Sequence, residues 1–209
     1  MNRTLELVDL ITPTLLANTL RARQHPIAMR DWDLNLVGIR HSNRDSNTFN
    51  DALAVMWWAN AHINLVVFRC TTDPGAYWRT HPMNPKGTAI LVPGFYPGLW
   101  QLGLHRGRYE ALVQRRDCWV YRDNDRDQEL EERDAEFGVF GINLHRAADR
   151  GAGRSDDAPK SVDRWSAGCQ VVPDTADYQV LMALCKCHAR RHGNVFSYTL
   201  IEEEDLWTQ

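Results

Sequence analysis

One cysteine and one histidine of this chain have the types and the spacing of a nucleophile and its base. Cys169 lies in segment 165–171 (WSAGCQV), and His145 precedes it by 24 residues. A thiol with an imidazole folded against it can attack a carbonyl carbon and transfer an acyl group. We therefore take Cys169 as the candidate nucleophile and His145 as the candidate base.

The residues around this pair suggest how it is positioned. Gly168 permits a tight turn, so amides near Cys169 are expected to point at a substrate oxygen. Ser166 is expected to donate to the same oxygen or to orient the histidine. His145 follows the apolar run 140–144, which predicts a strand that carries the imidazole to the edge of a sheet. The alternative is that Cys169 is an inert, buried small hydrophobe.

The rest of the chain predicts a mainly β domain over 31–201, preceded by a helical arm over 1–30. Thr12 and Pro13 fit an N-cap and a first helical turn, and a late helix is predicted between Asp174 and Gly193. The tail 202–209 is acidic and is expected to be frayed. Short apolar runs separated by Pro and Gly turns predict the strands. These runs are 34–39, 64–69, 89–92, 109–113, 118–121 and 195–201.

Composition limits the class of protein. The 209 residues are 44% hydrophobic and 24% charged, which is ordinary for a globular domain. The net charge of −3 comes from mixed signs, and no basic block indicates nucleic acid. The five cysteines are odd in number and widely spaced, so no disulfide framework is expected. No apolar run is long enough for a membrane span.

Residues 140–171 resemble the active-site region of the L,D-transpeptidases, the YkuD-like cell-wall enzymes. Members of that family carry a strand-borne histidine, a loop, and a Ser-His-Gly-Cys turn with the catalytic cysteine. The resemblance implies a β-sandwich in which Cys169 attacks an amide of a peptidoglycan stem peptide and His145 is the base. It assigns Ser166 and Gly168 to the turn and the oxyanion environment. The thioester then passes to an amine or to water.

The chain differs from the family pattern at three positions. Ala167 stands in place of the second histidine of the motif, and Val171 in place of an arginine common two residues past the cysteine. Arg146 stands where a glycine often follows the base. These differences bear on how a substrate carboxylate is recognised, and Arg146 or Arg164 is expected to supply the missing cation. His105 is a further candidate on the substrate side.

An acidic segment has the spacing of a calcium loop, with a carboxylate at positions 1, 3, 5 and 12. The residues concerned are Asp123, Asp125, Asp127 and Asp134. Gln128 stands where such loops need glycine, and position 12 lacks the bidentate glutamate. The alternative is a solvated acidic hairpin. We expect no cofactor and no firm metal site.

The function expected from these features is a cysteine-dependent L,D-transpeptidase or L,D-peptidase acting on peptidoglycan stem peptides. Because residues 1–9 lack the apolar core of a signal peptide, synthesis in the cytoplasm is expected, with delivery to the cell wall by release or non-standard export. Two alternatives stay open. One is a non-catalytic cell-wall or glycan-binding module, and the other is a cysteine amidase or peptidase with a different substrate.

Overall fold

The computed structural model describes residues 6–43, 47–125, 132, 134–147 and 158–208. Four helices are α1 Leu7–Leu10, α2 Pro13–Ala22, α3 Ala76–Thr80 and α4 Thr175–His192. The first six strands are β1 Asn35–Arg40, β2 Asp51–Ala59, β3 His62–Cys70, β4 Thr88–Leu91, β5 Gly94–His105 and β6 Tyr109–Gln114. The others are β7 Cys118–Asp123, β8 Glu136–Gly138, β9 Leu144–Arg146, β10 Gln170–Val172 and β11 Phe196–Glu202. A 3-10 helix, Glu203–Leu206, follows β11.

The two long helices begin and end where their capping residues predict. The Thr12 hydroxyl accepts a hydrogen bond from the Leu15 amide at 3.2 Å, with Pro13 in the first turn of α2. The Asp174 carboxylate accepts from the amides of Ala176 and Asp177 at the start of α4. Gly193 ends α4 with a φ of +92°, a conformation that suits glycine. The predicted start of α2 and the predicted start and end of α4 are confirmed.

Strands hold 39% of the residues and helices 22%, so the prediction of a mainly β protein is confirmed. Eight strands form one sheet in the order β10-β9-β6-β5-β11-β1-β2-β3, and β4-β7-β8 form a second, smaller sheet. The large sheet curls until its two outer strands meet. Thr71, the residue after β3, exchanges two backbone hydrogen bonds with Val171 of β10, at 2.9 and 3.0 Å. The sheet is therefore nearly closed.

The main hydrophobic core lies between the two sheets and α4. It includes Trp100 and Tyr198 from the large sheet, Leu91 and Val120 from the small sheet, and Leu181 from α4. A second core lies where the N-terminal helices cover the other face of β1 and β2. Its members from residues 7–20 are Leu7, Ile11, Leu16, Ala17 and Leu20. The predicted arm is helical, and its apolar side chains are part of the core of the protein.

Two local expectations were wrong. The acidic tail is not frayed, because residues 203–206 form a 3-10 helix with Leu206 buried, and Asp205 pairs with Arg23. The strand predicted over 140–144 begins only at Leu144. The amides of Phe140 and Ile142 donate to the side chain of Gln114 rather than to a neighbouring strand. For these two amides, the Gln114 side chain takes the place of a neighbouring strand.

Candidate active site around Cys169 and His145

The pairing of β9 with β10 places the candidate nucleophile and base on one face of the sheet. The two strands are parallel, with His145 opposite Val171. Side chains opposite each other in a parallel pair share a face, so Val171 lies on the same face as His145, and Cys169 immediately precedes β10. Burial agrees, because Ala147, Val171 and Cys169 share a small apolar cluster.

In the resting geometry the thiol contacts a backbone carbonyl. The Cys169 Sγ donates to the Gly141 carbonyl at 3.3 Å. Among the hydrogen bonds of the described residues, none joins Sγ to the His145 ring. The resting thiol is therefore engaged with the Gly141 carbonyl, and proton transfer to the imidazole requires that contact to be replaced by one with His145.

The hydrogen bonds of His145 determine its tautomer. Nδ1 lies 2.9 Å from the Arg146 carbonyl, and because a carbonyl can only accept, Nδ1 carries the proton. The Tyr109 hydroxyl lies 3.3 Å from the same nitrogen and donates to the same carbonyl at 3.2 Å. The lone pair of the neutral ring is then on Nε2. Nε2 is therefore the ring nitrogen that can accept a proton.

Burial keeps both reacting groups uncharged. It lowers the pKa of His145 to about 3, with further lowering by the neighbouring His105 and Arg106. His145 is only 3% exposed, and the His105 ring stacks on it with 4.1 Å between centroids. Burial also raises the pKa of the Cys169 thiol, an effect that the Asn143 backbone amide and Arg106 oppose. The resting pair is a thiol and a neutral imidazole rather than an ion pair.

Ser166 and Gly168 build the turn that carries the cysteine. The buried Ser166 hydroxyl donates to the Cys169 carbonyl at 2.7 Å and accepts from the Gly168 amide at 3.1 Å. It therefore neither faces a substrate oxygen nor orients His145, which differs from the expectation. Gly168 has a φ of +114°, and a Cβ there would collide with the Ala89 carbonyl. Among the described residues, the Cys169 amide has no acceptor, so it is available to an oxyanion.

The three predicted substrate-side residues have different positions. His105 does join the site, stacked on His145 and with Nδ1 3.1 Å from the Asn143 side-chain nitrogen. Arg146 points to the opposite face from its neighbour His145, and its guanidinium lies 4.5 Å from the centre of the Tyr109 ring. It lines a separate pocket of about 360 Å³ beside α4. That Arg146 binds a carboxylate of the substrate stays a prediction.

Arg164 lies on the other flank of the cysteine turn. Its guanidinium stacks on the Tyr77 ring of α3 at 4.0 Å, and its carbonyl accepts from the Trp78 indole at 2.9 Å. Arg164 is exposed and precedes Ser166 by two residues, so it borders the turn. The contacts with α3 hold it against an aromatic surface.

The calcium interpretation finds little support in the geometry. Asp123 is fully buried at the end of β7, where its carboxylate pairs with the guanidinium of Arg79, also buried. Asp125 and Asp134 are exposed, and Asp127 lies outside the described residues. Within the part of the chain that the structure describes, no group of three metal-ligating side chains comes together. The alternative of a solvated acidic hairpin also fails at Asp123.

Comparison of the chain with family models, with curated proteins and with solved structures finds no match. No helix of the described residues is both long and apolar enough to cross a membrane.

Sequence reasoning missed three residues that organise the site. Tyr109 contacts the base, and Arg106 follows His105, whose ring stacks on the base. Gln114 holds the segment before β9, because its side-chain oxygen accepts from two amides of that segment at 3.0 and 2.8 Å. Arg106 and Tyr109 lie in the same hairpin as His105, so the prediction of His105 as a site residue was the sequence signal that could have pointed to them. No sequence signal marks Gln114, because its partners lie about 25 residues further along the chain.

Proposed function

We propose that this protein is a cysteine acyl-transfer enzyme that acts on peptide amides of peptidoglycan stems. The observation that supports the proposal most is the shared face of Cys169 and His145, with the imidazole held as the tautomer whose Nε2 is a base. The sequence resemblance to the L,D-transpeptidases over residues 140–171 supports the choice of substrate. The order of the two residues along the chain, histidine first, agrees with that family.

The proposed reaction starts from the neutral pair. The Cys169 sulfur attacks the amide carbon and forms an S–C bond while the thiol proton passes to His145 Nε2. The oxyanion accepts a hydrogen bond from the Cys169 amide. The C–N bond then breaks, and His145 returns the proton to the leaving amine. The resulting thioester is attacked by an amine, which exchanges the amide, or by water, which trims the peptide, and the thiol is regenerated.

The test is digestion of purified sacculi, with the muropeptides read by mass spectrometry. Sacculi of several stem chemistries are incubated with the wild type and with Cys169→Ala. We expect new products with the wild type and a loss of about 10³-fold or more with Cys169→Ala. His145→Gln is expected to lose about 10²- to 10⁴-fold, the usual contribution of a general base. Cys187→Ala, which removes a half-buried cysteine on α4, is the matched control and keeps the activity.

The outcomes separate the two alternatives. If Cys169 is alkylated by iodoacetamide but no sacculus yields a Cys169-dependent product, the protein is a cysteine amidase or peptidase with another substrate. Products that persist in Cys169→Ala would remove the thiol from the mechanism. Binding to sacculi without products and without alkylation of Cys169 would support the non-catalytic module.

A further inference from the structure

Asn143 lies directly before β9 and connects the cysteine turn with the ring of His105. Its backbone carbonyl accepts a hydrogen bond from the amide of Gln170, the residue after Cys169, at 2.8 Å. Its side-chain oxygen accepts from the Gln114 backbone amide at 2.8 Å. Because a backbone amide can only donate, this contact fixes which end of the Asn143 side chain is oxygen and which is nitrogen. The side-chain nitrogen is the end that faces His105 Nδ1, at 3.1 Å.

The bond from Asn143 determines where the proton of His105 lies. The amide nitrogen donates, so His105 Nδ1 accepts and carries no proton. The His105 ring is then neutral, with its proton on Nε2. His145 has the opposite tautomer, because its Nδ1 donates to the Arg146 carbonyl. If His105 became an imidazolium, its Nδ1 would also carry a hydrogen, and two donors would face each other at the Asn143 side chain.

The His105 ring packs on the face of the His145 ring. The two centroids are 4.1 Å apart with 27° between the ring planes, and the residues are 8% and 3% exposed. His105 is itself held on two sides, since it pairs with Tyr109 across the β5–β6 hairpin and accepts from Asn143. The stack therefore holds the plane of the His145 ring, and the bond to the Arg146 carbonyl holds its Nδ1 edge.

The charge of His105 matters to the base because the two rings are in contact. Burial lowers the pKa of His145 most, and a charge on His105 lowers it next. A positive His105 would oppose the uptake of the thiol proton by His145, since like charges disfavour each other. The Asn143 donor keeps His105 uncharged and so removes this opposition. Other titratable or charged groups of the described residues around the rings are Tyr109 of β6, Arg106 of the hairpin, Arg146 of β9 and Cys169 before β10.

We propose that Asn143 and His105 are positioning residues of the acyl-transfer site. Asn143 holds His105 as the neutral Nε2–H tautomer, and the His105 ring holds the plane of His145 without opposing its protonation. This inference rests on the proposed acyl-transfer function and adds two residues that act through the base. Because the tautomers and the reactivity of the thiol can be measured without a substrate, the inference and the proposed function can fail separately.

The first test measures the two tautomers by nitrogen NMR of the histidine rings. Signals of the two residues are assigned by their loss in His105→Gln and His145→Gln. At neutral pH we expect the wild type to carry a proton on Nε2 alone at His105 and on Nδ1 alone at His145. In Asn143→Asp an acceptor replaces the donor, so His105 should be protonated on both nitrogens. A proton on His105 Nδ1 in the wild type, or no change in Asn143→Asp, would overturn the proposal.

The second test measures the rate at which iodoacetamide alkylates Cys169 from about pH 6 to pH 9, the range in which a histidine beside a carboxylate loses its proton. An S–C bond forms, iodide leaves, and the thiol proton passes to His145. We expect Asn143→Asp to be about three- to tenfold slower than the wild type at the acid end, because His105 is charged there. The ratio of the two rates should return toward one as the pH rises.

Two controls separate the charge of His105 from other effects of the substitution. Asn64→Asp adds a carboxylate at a half-buried position of β3 and should keep the wild-type rate at every pH. In the double variant His105→Phe with Asn143→Asp, the ring at position 105 cannot be charged, so the slow acid end should disappear. If it persists, the new carboxylate acts on the thiol directly and the role of His105 is wrong. A ratio that does not change with pH in Asn143→Asp would also overturn the proposal.

The third test compares His105→Ala with His105→Phe on a stem-peptide substrate. We expect His105→Ala to lower kcat by about tenfold to a hundredfold with KM unchanged, because the base loses the ring that holds its plane. His105→Phe keeps a stacked ring and should retain most of kcat. Equal losses in the two variants would show that stacking does not position the base. If the tautomers and the alkylation profile are as expected but no peptide is turned over, the positioning pair is retained and the proposed function fails.

Discussion

At the scale of single residues, the charge state of the reacting pair is set by burial. Water is excluded from the His145 ring, and a second histidine and an arginine lie beside it, so protonation is strongly disfavoured. The Cys169 thiolate is disfavoured for the same reason. In the proposed reaction the proton therefore moves during attack on the substrate rather than before it. This geometry fits general-base catalysis better than a preformed thiolate–imidazolium pair.

The lowered pKa of His145 predicts how stability depends on pH. Between about pH 6.5 and the folded pKa of about 3, the unfolded chain binds a proton at this position and the folded chain does not. The contribution of His145 therefore destabilises the fold as the pH falls through this window, by about 1.4 kcal/mol per pH unit. On going from pH 7 to pH 5, we expect the wild type to lose about 2 kcal/mol more unfolding free energy than His145→Gln. Urea unfolding at both pH values measures this difference.

The comparison between variants is needed because other groups titrate in the same range. Burial and the nearby Asp73 raise the pKa of Asp51 to about 7, and this carboxyl shifts stability in the opposite direction. His62→Gln, at an exposed position of β3, is the control and should follow the wild type. If His145→Gln and the wild type lose the same free energy between the two pH values, the imidazole is not held neutral by the fold.

At the scale of elements, the Gln114 side chain binds the segment before β9 where a neighbouring strand would otherwise pair with it. The Gln114 side chain accepts from the amides of Phe140 and Ile142 and donates to the Gly138 carbonyl at 3.2 Å. Its backbone amide donates to the Asn143 side chain at 2.8 Å. Gly141, whose carbonyl faces the Cys169 thiol, lies in the middle of this segment. Gln114 therefore holds segment 138–142 in place, and the Gly141 carbonyl of this segment in turn positions the Cys169 thiol.

Removing the Gln114 side chain should loosen that segment. We expect Gln114→Ala to lower the free energy of unfolding by about 1–3 kcal/mol, because two amides lose their acceptor. Hydrogen exchange at the Phe140 and Ile142 amides should accelerate, since their protection depends on that acceptor. Gln101→Ala, at an exposed position of β5, should leave both quantities close to wild type. Unchanged protection at the two amides in Gln114→Ala would contradict the positioning role.

At the scale of the whole molecule, the N-terminal helices complete the core rather than extending from it. Leu16 and Leu20 are essentially unexposed and pack with Val37, Ala54 and side chains after β11. The 3-10 helix that follows β11 closes this layer through Leu206. Because the two ends of the chain share one apolar layer with the large sheet, we expect them to unfold together with it.

Truncation of a leucine tests this cooperativity. Leu16→Ala should lower the free energy of unfolding by about 2–5 kcal/mol through lost burial and a cavity. The unfolding transition should stay single when followed by both tryptophan fluorescence and far-UV circular dichroism. Leu15→Ala, at a half-buried neighbour, should cost clearly less. Two separate transitions in Leu16→Ala, with the second at the wild-type midpoint, would show that residues 6–22 fold apart from the sheet.

The sequence by itself determined the features that depend on neighbours along the chain. Asp174 and Gly193 mark the ends of α4, and Thr12 with Pro13 marks the start of α2, because caps act within one helical turn. The alternation and apolar runs gave the mainly β class and most strand positions. They missed β2, whose first seven residues are all buried and so show no alternation, and they also missed β5, β8 and β10. The sequence also singled out Cys169 and His145, although their spacing leaves their separation in space open.

Tertiary structure decided which side chains share a surface. The parallel register of β9 with β10 places His145 on the face of Cys169 and, by the same alternation, places Arg146 on the other face. The bridge between Thr71 and Val171 nearly closes the sheet, and the β5–β6 hairpin brings the His105 ring onto that of His145. These pairings join residues far apart in the chain. Their energies depend on register and burial, which no local run of residues specifies.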